Sequence, residues 1–275
     1  MTTLAGVLGD PIAHSRSPRL HRHWLDRYGI DGDYLPLRVP AADLRAALSL
    51  LPQAGFAGVN VTIPHKEAAF ALADEITDRA RAVGAANTLT FRDGRVMADN
   101  TDGHGFVASL DQQAPGWDAG TGSALVLGAG GAARGIVAAL LVRGVDRVVL
   151  ANRDRGRAER LAADLAGLPG RIDAIKTAAI PDALGEATLL VNATSLGMVG
   201  QPPLDIDLSP LPDAATVTDI VYTPLETPLL AAARARGLRT VDGLGMLLHQ
   251  AAPGFEAWFG RRPDVDDALR AAVLR

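Results

Sequence analysis

The chain has 275 residues, 48% of them hydrophobic and 21% charged, which is enough for about two domains and too apolar for a disordered tail. With 27 Lys and Arg against 31 Asp and Glu, its net charge of -4 exerts no long-range pull on nucleic acid or an anionic membrane. It has no cysteine, which excludes disulfides and thiolate metal sites, and its 6 histidines are scattered without ligand spacing, so no metal is expected.

Residues 3–9 (TLAGVLG) read as the first strand, and Met1–Gly9 shows no basic leader segment, so a cytoplasmic setting is expected. Residues 18–28 read as a helix with Ser17 as N-cap and Pro18 at its first position. Strands at 33–39 and 57–63 flank a helix at 41–51, and a short helix is expected to start at Pro64. Residues 86–91 and 95–98 enclose Arg92-Asp93-Gly94, a hairpin signal. A helix is read at 102–111 and a loop from Gln112 to Gly122. Short apolar runs then recur at 123–127, 147–151, 188–192, 216–220 and 239–241, with helical patterns between the first three and before the last. Such alternation predicts a parallel sheet covered on both faces. Helices near 244–259 and 264–274 close the chain. The uncharged stretch 119–133, with the apolar run that resumes to Val142, is not a membrane span, because glycines and Arg134 break it into strand, turn and helix.

The segment Gly128-Ala129-Gly130-Gly131-Ala132-Ala133 follows one of these strands and opens an apolar helix. This is the dinucleotide-binding pattern in its proper setting. Gly128 permits the tight turn, Gly130 lets backbone amides approach a pyrophosphate, and the small Ala133 lets helix and strand pack closely. The next strand ends in Asn152-Arg153, where NAD sites usually carry an acidic residue. An arginine there, with Arg155 and Arg157 nearby, suits the extra phosphate of NADP. Asp154 is the opposing feature, since it would repel that phosphate if it pointed inward.

In the first half, uncharged hydrogen-bonding residues gather at strand ends: Ser15 and Ser17, Asn60 and Thr62, and Asn87. Lys66 and Asp102 add one amine and one carboxylate. Such a set suits a small polyhydroxylated ligand, although each residue alone also reads as a cap or turn residue.

Together these segments resemble the shikimate/quinate dehydrogenase family, also called shikimate 5-dehydrogenases. The resemblance rests on His14-Ser15-Arg16-Ser17-Pro18, Asn60-Val61-Thr62-Ile63-Pro64-His65-Lys66, Ala86-Asn87-Thr88 and Asn100-Thr101-Asp102-Gly103. It continues through Gly128–Arg134, Asn192-Ala193-Thr194-Ser195, Tyr222-Thr223-Pro224 and Gly243-Leu244-Gly245-Met246 to Gln250, in the family's order over nearly the whole chain.

The resemblance implies an α/β protein of two domains with a cleft between them. A substrate domain with a mostly parallel sheet would span 1–101 plus 243–275, and a Rossmann-type doubly wound domain binding NADP would span 102–242. It implies reversible hydride transfer between NADPH and 3-dehydroshikimate, giving shikimate on the route to chorismate and aromatic amino acids. By the same resemblance Lys66 is the acid/base and Asp102 its partner. Ser15, Ser17, Asn60, Thr62, Asn87, Tyr222 and Gln250 join them around the substrate. The cofactor falls to Gly128–Ala133, Asn152, Arg153, Arg157, Ala193, Thr194, Ser195, Ile220, Gly243 and Met246. The family often has Thr where Asp154 stands, and the paired serines favour shikimate over quinate. Two alternatives remain: an NAD-using quinate/shikimate enzyme and a non-catalytic ligand sensor on the same scaffold. The expected partners are small molecules only, with the chain a monomer or homodimer.

Overall fold

The computed structural model describes residues 2–117 and 122–275. The first residue of Met1–Gly9, part of the expected 112–122 loop and the start of the 119–133 stretch lie outside the described residues. The chain divides into two compact units, residues 1–101 with 248–275, and residues 102–247.

The first unit runs β1 (Thr3–Gly9), α1 (Ser17–Tyr28), β2 (Gly32–Arg38), α2 (Leu44–Leu50), β3 (Phe56–Val61), α3 (Lys66–Leu72), β4 (Glu75–Ile76), α4 (Asp78–Val83), β5 (Thr88–Arg92) and β6 (Arg95–Asp99). Its sheet has the order β2-β1-β3-β5-β6-β4. The β2, β1 and β3 strands are parallel, while β5 runs antiparallel to both β3 and β6. The hairpin turns on Asp93 (φ 52) and Gly94 (φ 73), two left-handed residues whose twist matches the strands they join.

Period-two alternation sends Leu4 and Leu8 to one core, with Leu44, Leu48, Val59 and Val61, and sends Ala5 and Val7 to the other, with Tyr34 and Trp258. The β1–β3 register shifts between Leu4 and Ala5, which changes the face parity of β3 after Phe56. Gly58 consequently lies under the Trp258 indole, whose Nε1 donates to the Leu89 carbonyl at 3.1 Å. A methyl group on Gly58 would collide with both of those partners. Gly58→Ala is expected to cost about 2–4 kcal/mol by overpacking and loss of that bond, read as a lower urea midpoint at unchanged slope.

Among the expected boundaries that shift are the starts of α1, α2 (at Leu44), α3 and the last helix (at Asp267). Ser17 is the first residue of α1 and not its N-cap, because Arg16 before it already has helical backbone angles (φ -86, ψ -8), which places Ser17 inside the first turn and Pro18 second. The Ser15 hydroxyl accepts from the Ser17 N–H at 3.3 Å instead. The third helix starts at Lys66, not at Pro64, because residues 62–65 close first as a turn, with the His65 N–H donating to the Thr62 carbonyl at 3.0 Å.

The second unit runs α5 (Asp102–Gln113), β7 (Ser123–Leu127), α6 (Gly131–Arg143), β8 (Arg147–Ala151), α7 (Arg155–Asp164), β9 (Arg171–Ile175), α8 (Ile180–Leu184), β10 (Ala187–Asn192), β11 (Thr216–Asp219), α9 (Pro228–Ala235) and β12 (Arg239–Val241). The next helix, α10 (Gly243–Phe259), begins here and continues in the first unit, where α11 (Asp267–Leu274) follows. Return to the first unit comes at Leu248, later than the expected boundary at Gly243. The reason is local. Gly245 packs on the Ser109 and Gln113 side chains, and Gln113 exchanges two 3.4 Å bonds with the Asp242 backbone.

All six strands of the second sheet are parallel, in the order β12-β11-β10-β7-β8-β9. Alternate residues feed opposite faces. Val126, Leu150 and Val191 join α5, α6 and α7, while Leu125, Val149 and Leu190 join α8 and α9. This is the doubly wound order, with its switch point between β7 and β10. The sequence pattern misses β9, an edge strand whose Arg171 and Asp173 pair with each other at 2.6 Å instead of supplying an apolar run. No helix among the described residues is long and apolar enough to cross a membrane.

Behind the first sheet, a fully buried His21 stacks on Tyr34 with ring centroids 3.9 Å apart, and Trp24, Phe255 and Trp258 surround it. Neither ring nitrogen has a hydrogen-bond partner. Burial lowers its pKa to about 3, with the Asn60 side chain opposing. The unfolded chain therefore binds the proton more tightly, so stability rises with pH from about 3 to the unfolded value near 6.5 and falls as acid is added. Between pH 7 and pH 5 this residue should remove about 2 kcal/mol, and His21→Phe should lose correspondingly less over the same interval in urea titrations.

Candidate active site

In the first unit the polar residues gather at the carboxyl ends of β1 and β3 and beside the hairpin. Asn60 is the penultimate residue of β3, on the face shared with Tyr34, and the Tyr34 hydroxyl donates to its Oδ1 at 2.6 Å. Asn60 Nδ2 donates to the Asn87 carbonyl and to Thr88 Oγ1, both at 3.1 Å. Burial pushes the Tyr34 phenol well above its ordinary range, opposed by the adjacent Ser17 hydroxyl. The bonds of Asn60 are thus directed into the protein.

Asn87 is a second hub. Its Oδ1 accepts from the Thr101 N–H at 2.8 Å and from the Thr88 hydroxyl at 2.9 Å, and its Nδ2 donates to Thr101 Oγ1 at 3.0 Å and to Gln250 Oε1 at 3.2 Å. Thr101, fully buried, also donates to the Gln250 carbonyl at 2.8 Å. The structure thereby brings Asn60, Asn87 and Gln250 into one network. Tyr34, Thr88 and Thr101, which the sequence reading left out of the site, are its connecting members. Thr101 stood beside Asp102 in a polar run, but nothing in the sequence pairs it with Gln250.

The Lys66 carbonyl accepts from the Ala86 N–H at 2.9 Å, which ties the start of α3 to the residue before Asn87. Thr62 is half-buried, with its N–H donating to the Leu8 carbonyl at 2.9 Å. Ser15 is half-buried and Ser17 buried, one just before α1 and one in its first turn.

In the second unit Asp102 is buried at the first residue of α5. At the switch point, Gly128 has φ 105, and a Cβ there would lie 3.0 Å from the Ala193 carbonyl, so a side chain is excluded twice over. A Cβ on Gly130 or Gly131 would meet nothing within 4 Å. Open space thus adjoins the start of α6, where the first amide groups of a helix have no intrahelical acceptor. A pyrophosphate fits that chemistry.

At the end of β8, Arg155 pairs with Glu159 at 2.8 Å. Arg153 and Arg157 are exposed, and among the described residues neither guanidinium makes an ion pair. Asp154 is the N-cap of α7, its side chain accepting from the Arg157 N–H at 3.3 Å while its carbonyl accepts from Asn152 Nδ2 at 2.8 Å. The carboxylate is therefore turned onto its own helix, and two cations beside it are open to an anionic group.

Ala193 and Thr194 follow β10, and Ser195 is exposed. Ile220 and Met246 are partly buried against the core on the α6 face. Gly243 packs against the Ile220 carbonyl. Tyr222 is half-buried, three residues beyond the end of β11. Asp219 is fully buried, and burial raises its carboxyl pKa against bonds from Val221, Thr227 and Asn192.

Three family models match the chain. They are the shikimate dehydrogenase substrate binding domain over residues 7–89, shikimate / quinate 5-dehydrogenase over 111–198, and the shikimate 5'-dehydrogenase C-terminal domain over 243–273. A shikimate dehydrogenase (NADP(+)) of Rhodospirillum rubrum is 62% identical over 273 residues, covering 98% of this chain and 96% of that protein. The shikimate 5-dehydrogenase of Thermus thermophilus, solved with NADP(H) and shikimate, superposes with a TM-score of 0.87 at 37% identity, covering 100% of this chain and 99% of that one. A quinate dehydrogenase of Corynebacterium glutamicum, solved with NAD, gives 0.91 at 33% identity, covering 99% of both chains.

Proposed function

We propose, from the premise that the chain belongs to the shikimate dehydrogenase family, that it is an NADP-dependent oxidoreductase interconverting 3-dehydroshikimate and shikimate. The observation that carries the cofactor choice is the end of β8, where Asp154 caps α7 while Arg153 and Arg157 stay unpaired. Asp154 was the feature favouring NAD, and its turned carboxylate removes that support. Arg153, Arg157 and Asn152 hold the 2′-phosphate. The amides from Gly130 to Ala133 hold the pyrophosphate, and Gly128, Ala129, Ala193, Thr194, Ser195, Ile220, Gly243 and Met246 line the rest of the nucleotide.

When bound, NADPH supplies the hydride. Lys66 gives a proton to the substrate carbonyl oxygen as it becomes an alkoxide and takes it back in the reverse direction, with Asp102 acting as its carboxylate partner. Ser15 and Ser17 offer hydroxyl donors for the substrate carboxylate at the start of α1. Thr62, Asn87, Tyr222 and Gln250 read the ring hydroxyls. Asn60 acts by holding Asn87 and Thr88 in place, since its bonds run to them and to Tyr34. The chain works in the cytoplasm on small-molecule ligands.

The test is a matrix of initial rates at 340 nm, with NADPH and NADH against 3-dehydroshikimate and 3-dehydroquinate. NADPH with 3-dehydroshikimate should give the highest kcat/KM. Equal or faster turnover with NADH, or with the quinate-series ketone, would reject the reading.

A further inference from the structure

We propose that Asp219 is a positioning residue that sets the 192–196 loop, through Asn192, and Tyr222, through the Val221 N–H, in place for the nucleotide and substrate. The inference rests on the ligand-facing roles given above to Ala193, Thr194 and Tyr222.

Asn192 and Asp219 end adjacent parallel strands and are register partners, both fully buried. Asp219 Oδ1 accepts from Asn192 Nδ2 and from the Val221 N–H, each at 2.9 Å, and its Oδ2 accepts from the Thr227 hydroxyl at 2.8 Å. Asn192 then uses its own Oδ1 for the Thr194 N–H at 3.0 Å and the Thr194 hydroxyl at 2.7 Å, while its Nδ2 also reaches the Leu196 carbonyl at 3.1 Å. The Thr194 hydroxyl oxygen in turn accepts from the Leu196 N–H at 3.1 Å. Thr227 caps α9 by accepting from the Leu230 N–H at 3.3 Å.

One carboxylate is the common acceptor for three segments that meet at the carboxyl edge of the sheet. Two buried apolar residues would hold β10 and β11 together at no desolvation cost. The carboxylate adds direction. It can only accept, so Asn192 must present its amide to Asp219 and its carbonyl oxygen to Thr194. An amide at position 219 no longer enforces that choice. Asn192 is then free to flip, and both Thr194 donors lose their acceptor.

The experiment compares the full chain with Asp219→Asn, Asn192→Ala and Thr227→Val, measuring kcat, both KM values, NADPH affinity by fluorescence titration and Tm. Asp219→Asn should lower kcat/KM for NADPH by at least about tenfold, and Asn192→Ala, which removes the amide through which it acts, should do the same. Thr227→Val loses the cap of α9 and the bond to Oδ2 but leaves Asn192 facing Oδ1, so it should lower Tm with kinetic constants within about twofold of the parent. If Asp219→Asn does not fold, Asn192→Ala alone decides on the same tenfold limit. Kinetic constants within twofold of the parent in whichever of these two variants folds, whatever its Tm, assign the residue a purely structural role and overturn the inference. A loss in Thr227→Val as large as that in Asp219→Asn overturns it too. A parent chain that neither binds NADPH nor turns over overturns the underlying reading first, and the inference with it.

Discussion

Lys66→Ala is expected to lower kcat by about 10²-fold or more while moving the KM for 3-dehydroshikimate only a few-fold. Hydride delivery to a ketone leaves an alkoxide, which needs a proton from a positioned acid, and acid/base groups contribute about 10²–10⁴-fold. The ammonium also offers a hydrogen bond to the developing oxyanion, a contribution made in the transition state more than in the ground state. The frame around it has its own hydrogen bonds. The start of α3 is pinned by the Ala86 N–H on the Lys66 carbonyl, and Asn87 is held by Thr88, Thr101 and Gln250. Binding should therefore outlast the loss of turnover, and Tm should stay near that of the parent. Lys66→Arg is the sharper control, because it keeps the charge but cannot release a proton near neutral pH. It should bind substrate and still turn over slowly. If Lys66→Ala retains kcat within threefold of the parent, the lysine has no part in proton transfer.

Arg153→Ala/Arg157→Ala is expected to raise the KM for NADPH by about 10- to 100-fold and to leave the KM for NADH within about twofold. Hydrogen bonds to charged groups contribute about 1.5–3 kcal/mol each, reduced here because both guanidiniums are exposed and screened by solvent. NADH lacks the phosphate that these side chains meet, so it reports any general damage to the nucleotide site. Salt gives an independent readout. The NADPH KM of the parent should rise as ionic strength shortens the Debye length to about 8 Å and below, and that of the double variant should hardly respond. Equal losses with both cofactors would place the two arginines elsewhere in the site. Arg155 makes an internal comparison, since its guanidinium already pairs with Glu159 and its removal should change neither KM appreciably.

Most of the strands of the second unit are legible in the sequence alone. The central strands at 123–127 and 147–151 stand where the apolar runs predict them, because a strand covered on both faces is apolar along nearly its whole length and so announces itself locally. The glycine turn at 128–131 is equally legible, since Gly128 has a backbone conformation that few other residues tolerate. Two edge strands, β9 and β4, escaped for the converse reason. With one side in water, β9 alternates charge with apolar residues, and the two-residue β4 is too short to carry a period.

Which polar residues cooperate follows from the packing of the folded chain. Asn87 and Gln250 lie far apart along the chain, and their shared bonds with Thr101 exist because α10 returns its later turns to the first unit. The direction of the Asp154 carboxylate, which separates an NADP reading from an NAD one, followed from the way α7 begins. The pairing of Asn192 with Asp219 followed from strand register. Local sequence fixes backbone shape through short-range sterics and apolar periodicity, whereas a hydrogen bond between distant side chains depends on where folding of the whole chain places its two ends.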